Sequence, residues 1–176
     1  MKKIVISALA SLLLLSGCDN AKTEAVTTSG EGNFAAQKET LSSQNEADVR
    51  TDLLAINSVV NASNSKASEL NNELVAASKN RDSSAVKAII GRSKELLEST
   101  NNSLLGLKIK SQEIQEIRLG IYQGNMISIK FYELYSKENP SDKDKEEMEL
   151  LKKQMVALQK SIGGKLDQLN SQYKVQ

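Results

Sequence analysis

Few residues in this 176-residue chain could carry covalent or metal chemistry. Cys18 is its single cysteine and it has no histidine. A lone cysteine forms no disulfide within the chain and no thiolate cluster. Without imidazole there is no His-dependent triad, no His metal site and no proton switch near neutral pH. Carboxylates remain. Glu113 with Glu116, and Glu146 with Glu149, share a helical face at i, i+3 spacing, but both pairs fall on polar surfaces. Nothing there drives two pKa values apart as acid–base catalysis requires. Asp142, Asp144, Glu146 and Glu147 cluster without the glycine-bent loop of a calcium site, and they suit the positive end of a helix instead. Gly-rich phosphate loops and nucleophile elbows are missing, and the Glu-x-x-His pairs of di-iron bundles lack their histidine. The expectation is a protein that is not an enzyme and holds no metal.

The neighbours of Cys18 give that residue another role. Met1-Lys2-Lys3 is a short positive start, and the apolar run Ile4 to Leu15 follows it. That run is too short to cross a hydrocarbon core of roughly 30 Å, so it reads as an export signal and not as a membrane span. Leu15-Ser16-Gly17-Cys18, an aliphatic residue, two small residues and a cysteine, resembles the lipobox of bacterial lipoproteins. The resemblance implies a signal peptide over residues 1–17, a diacylglyceryl group on the Cys18 sulfur, and acylation of the amino group exposed by cleavage. Two or more acyl chains hold a protein on a membrane stably, whereas one holds it marginally. Asp19 resembles the signal that keeps enteric lipoproteins in the inner membrane, and Asn20 is similar to residues that reinforce it. These imply the periplasmic face of the inner membrane, with the outer membrane as the alternative. Apart from this lipid, no cofactor is expected.

Composition narrows the partners. Lys plus Arg is 23 against 22 Asp plus Glu, and loss of Lys2 and Lys3 with the signal leaves 21 against 22. No excess of positive charge is left to draw in nucleic acid. Tryptophan is absent and aromatic residues make up 3%, too few for base-stacking or sugar-stacking platforms.

The elements that must position any site are helical. Residues 18–43 are rich in Thr, Ser, Gly, Glu, Gln and Lys, which cannot bury enough apolar area to offset ordering, and predict a flexible linker behind the lipidated cysteine. Residues 44–176 then form one helical bundle. Val49, Leu53, Ile56, Val60, Ser63, Ala67, Leu70, Leu74 and Ala77 alternate steps of four and three, predicting a helix over about 47–79. A second segment, about 84–137, opens on Val86, Ile90, Leu97 and Leu104, with Gly120 and Gly124 marking either a close helix approach or a break. Pro140 ends it, and Met148, Leu151, Met155, Leu158, Ile162, Leu166, Leu169 and Tyr173 form the stripe of a third helix over about 141–173. No strand-like alternation of useful length appears. The fold class is all-α, an elongated antiparallel three-helix bundle of coiled-coil type. Such a rod buries little area per residue, so burial by homo-oligomerisation is a further expectation.

From Ile114 to Tyr135 the apolar residues cover more than one helical face, which means burial between two neighbours or a face spared for a partner. Gly120, Tyr122, Gly124, Phe131, Tyr132 and Tyr135 are the candidate partner surface, since aromatic residues supply contact area at interfaces. Two functions fit. One is a structural or adaptor lipoprotein that binds an envelope or periplasmic protein. The other is an inhibitory lipoprotein that blocks a toxic effector, or an incoming conjugation or phage machine.

Overall fold

A computed structural model describes residues 41–175. Among them are four helices, α1 (Glu46–Lys79), α2 (Ser83–Gly106), α3 (Gln112–Tyr135) and α4 (Asp142–Tyr173). The class is all-α, and the expected count of three helices is corrected to four. Asn45 opens α1 by accepting the Ala47 and Asp48 amides at 3.1 and 3.3 Å. Every seam residue expected on that helix, from Val49 to Ala77, is buried. Asp82 caps α2 in the same way, after a tight turn in which Arg81 takes a left-handed φ of 56°.

The long middle segment is broken, and the break lies at 107–111 and not at Gly120 and Gly124, which sit inside an unbroken α3. Backbone groups freed by the break find partners far away in sequence. The Asp52 carboxylate on α1 accepts the Lys110 amide at 2.8 Å, and the Ser111 amide and hydroxyl at 2.7 Å each. Arg118 donates to the carbonyls of Leu107 at 2.7 Å and Leu104 at 3.4 Å, at the end of α2, and to the Gln115 side chain. Burial lowers the pKa of the Arg118 guanidinium, and the negative charge of Asp52 acts the other way. Ser42 lies beside Ser111 in a parallel bridge, its amide donating to Lys110 O at 2.8 Å and its carbonyl accepting from the Gln112 amide at 2.9 Å. The Gln44 amide donates to Glu113 at 2.8 Å. The chain is therefore docked from Ser42 onward, which corrects the end of the linker expected over 18–43.

With the break, α3 turns back along α2. Contacts pair rising numbers on one helix with falling numbers on the next: Ser63 with Thr100 and Glu73 with Arg92 between α1 and α2, and Asn101 with Asn125 and Lys94 with Glu133 between α2 and α3. Glu116 with Lys165 and Lys130 with Glu147 do the same between α3 and α4. The helix α4 returns to α1 at the base, where Arg50 donates to the Tyr173 carbonyl at 2.6 Å and Asn57 to Asn170 at 2.9 Å.

Two apolar cores result. One, near the turns at 80–82 and 136–141, contains Leu74, Ile90, Leu97, Phe131, Tyr132 and Leu151. The other, near the base, contains Val49, Leu53, Ile56, Leu104, Ile114 and Leu166. A layer of small and polar residues separates them, where Ser63 and Thr100 hydroxyls meet at 3.0 Å and Asn125 donates to Asn101 at 2.8 Å. Buried polar groups are tolerable there because they satisfy one another.

Candidate functional site

The separating layer is incompletely filled. Between the two cores runs a cleft of about 100 Å³, half open to solvent. Its walls are Val60, Ser63 and Asn64 of α1, and Met155, Leu158, Gln159, Ile162 and Leu166 of α4. Thr100 of α2 and the α3 residues Gly120, Ile121, Gly124, Asn125 and Ser128 complete it. Hydrogen bonds between α1 and α4 lie at the base, and above them Asn64 and Gln159 line the cleft from its two sides.

Two glycines of α3 line this space, in different ways. A Cβ on Gly120 would lie 2.6 Å from Ile162 Cγ1, so any larger residue there would have to push the Ile162 side chain aside. Gly124 is roomier, its Cβ position 3.7 Å from Leu158 Cδ2. Ile121, Leu158 and Ile162 are only partly covered by their own chain. Polar atoms around the cleft are mostly used internally, Ser128 donating to the Gly124 carbonyl at 2.9 Å and approaching the Met155 sulfur at 3.1 Å. Gln159 Nε2 is an exception, buried without a hydrogen-bond partner among the described residues. None of the lining residues is ionisable. The cleft can offer apolar burial and amide or hydroxyl hydrogen bonds, and it has no group that would move a proton at neutral pH.

Cys18, Asp19 and Asn20 lie outside the described residues. Of the expected partner surface, Gly120 and Gly124 line the cleft, whereas Phe131 and Tyr132 are each 2% exposed and belong to the core. This corrects the exposed aromatic face. Phe131 packs edge-on to Tyr132 with centroids 6.0 Å apart, stacks with Tyr135 at 6.3 Å, and carries the Lys152 ammonium 5.9 Å above its ring. Tyr135 and Tyr122 are half-buried. Most of the apolar surplus on α3 is buried between α2 and α4, since folding back at the break gives the helix two neighbours; Met126 stays 45% exposed.

The carboxylate pairs are divided among separate tasks. Glu113 receives the Gln44 amide, Glu116 pairs with Lys165 at 3.5 Å and Glu149 with Lys152 at 2.7 Å. Asp144 forms a capping box with Ser141 and pairs with Lys137 at 2.6 Å, and these bonds bring its carboxyl down to about 2. Among the described residues no group of acidic side chains could hold a metal ion. Sequence reasoning missed Asp52, Arg118 and Gln159. Asp52 had a visible signal, a carboxylate three residues after Val49 and four before Ile56, on the edge of the buried seam.

The family model described as Uncharacterised lipoprotein PM1805 matches residues 50–174, a span that holds both cores and the cleft. The chain belongs to that family. It is a lipoprotein, in accord with the lipobox at Leu15-Ser16-Gly17-Cys18. No curated protein and no solved structure matches it. Among the described residues no helix is long and apolar enough to cross a membrane.

Proposed function

We propose that this lipoprotein is a non-enzymatic adaptor, moored by acyl chains on Cys18 at the periplasm-facing side of a membrane, whose antiparallel bundle binds an envelope protein. Asp19 and Asn20 favour the inner membrane. The supporting observation is the α1–α4 cleft, apolar on its walls, open on one side and free of ionisable groups. A protein can bind through such a surface but has little there with which to catalyse. The binding surface in this reading is the cleft, with Gly120 and Gly124 setting its depth, and not the aromatic residues of α3.

The test is crosslinking from membranes with a photo-reactive residue in place of Val156, which is 62% exposed and one turn from Gln159. A defined envelope protein captured from position 156, and lost when the probe is moved to the exposed Glu98 of α2, is the expected result. Equal capture from both positions would overturn the cleft as the site. Capture of a toxic effector or an injection component would turn the reading to an inhibitory lipoprotein.

A further inference from the structure

We infer that the cleft receives one branched aliphatic side chain of a polypeptide, flanked in that polypeptide by acidic residues. This rests on the reading of the cleft as a protein-binding site. Size is the first argument. The cleft measures about 100 Å³, against ~150 Å³ for an engineered apolar cavity that holds benzene. A leucine or isoleucine side chain fits that volume, and the open side leaves room for the main chain that carries it. Ile121, Leu158 and Ile162, left partly uncovered by their own chain, would gain burial from such a group.

Hydrogen bonding is the second. Among the described residues Gln159 Nε2 is a buried donor without an acceptor. It lines the cleft, and a peptide main-chain carbonyl beside the inserted side chain would accept from it, which a hydrocarbon could not.

Charge is the third. Residues 54–68 of α1 and 150–166 of α4 carry Lys66, Lys152, Lys153, Lys160 and Lys165 and no acidic residue. Lys152 and Lys165 are paired with Glu149 and Glu116. Lys153 and Lys160, both exposed and within one turn of Val156, make no ion pair among the described residues. Acidic residues beside the inserted side chain would complement that rim and speed its arrival.

The experiment is a nitrogen-15 NMR titration of the chain from Cys18 onward carrying Cys18→Ser, which keeps the whole described fold. The probes are N-acetylated, C-amidated tripeptides of sequence Glu-Leu-Glu, Glu-Ala-Glu and Lys-Leu-Lys, with octanoate as a lipid-like control. Glu-Leu-Glu should give saturable shifts at Gly120, Gly124 and the Gln159 side-chain amide, with the other two tripeptides weaker by roughly fivefold or more. Gln159→Leu should weaken Glu-Leu-Glu by a similar factor, as should Gly124→Ala, whose added methyl narrows the cleft without straining the helix. Equal response to leucine and alanine, indifference to Gln159→Leu, or no saturable shift with Glu-Leu-Glu would overturn the inference. Tighter binding of octanoate would overturn it in favour of an amphiphile site. A defined crosslink from Val156 with no preference among the tripeptides would remove this inference and leave the adaptor reading in place.

Discussion

Gly120 of α3 and Ile162 of α4 meet so closely that a Cβ on the glycine would stand 2.6 Å from Ile162 Cγ1 and nearer still to Cδ1. Gly124, one turn along, has ordinary clearance, and a Cβ on Gly164 would meet nothing within 4 Å. Alanine should therefore have opposite effects at these sites. Gly120→Ala forces Ile162 aside and should destabilise by about 1–3 kcal/mol. Gly124→Ala and Gly164→Ala should stabilise by about 0.5–1 kcal/mol, through lower backbone entropy of the unfolded chain. Chemical denaturation of the three variants checks this, and Ile162→Val should recover part of the Gly120→Ala loss.

Asp52 is 2% exposed and accepts from three donors, two of them backbone amides at the break between α2 and α3. Asp52→Ala leaves those donors buried and unmet, at a cost of about 3 kcal/mol or more. A fall in Tm of the order of 10 °C should follow. Loss of amide exchange protection at Lys110, Ser111 and Gln112 before the rest of the bundle would locate the damage. Uniform loss would show that the break is not held locally.

Acid should act through Asp144, whose carboxyl is held at about 2 by its bonds to Lys137 and Ser141. Its pKa is depressed in the folded state, so its contribution is complete above the ordinary carboxylate value of ~3.9 and fades as pH falls from there towards 2. Asp144→Asn should lower Tm at pH 7 and flatten the decline of Tm between about pH 4 and 2. Parallel Tm profiles for the two proteins over that range would contradict this assignment.

Replacing Phe131 and Tyr135 together by Ser separates a core from a surface. Phe131 is 2% exposed in the upper core, and truncating a buried phenylalanine costs about 3–5 kcal/mol. Circular dichroism should show a largely unfolded or strongly destabilised chain, with partner capture lost as a consequence. A folded variant that fails only in capture would restore the aromatic face as the binding surface.

Cys18→Ser should free the protein from membranes and leave its melting curve unchanged, because both described cores are built from residues between Val49 and Val175. Fractionation with a melting curve on the released protein tests both parts. Full retention in the membrane fraction would refute the lipid anchor.

Much of the fold is legible in the sequence where it depends on one helix at a time. The α1 seam from Val49 to Ala77 and a helix end ahead of Pro140 are local patterns, and each has its structural counterpart, the helix ending at Tyr135. The break at 107–111 is hidden because Leu104 and Leu107 continue a helical stripe while the groups that stabilise the break, Asp52, Arg118 and Ser42, lie elsewhere in the sequence. Without that break α3 has no second neighbour to fold against, so its apolar surplus left both burial between two helices and a face spared for a partner open. The cleft is harder still, since it is assembled from all four helices around two absent side chains. The glycines announced a close approach, but not what would surround it.

The bridge between Ser42 and Ser111 also decides how the bundle bears load. A pull applied at Leu41 would fall first on the hydrogen bonds to Lys110 and Gln112, at the joint between the α1–α2 and α3–α4 hairpins. It reaches the first turn of α1 only after those bonds part. Parting those bonds would peel residues 41–44 from the joint and leave the packing between the helices in place.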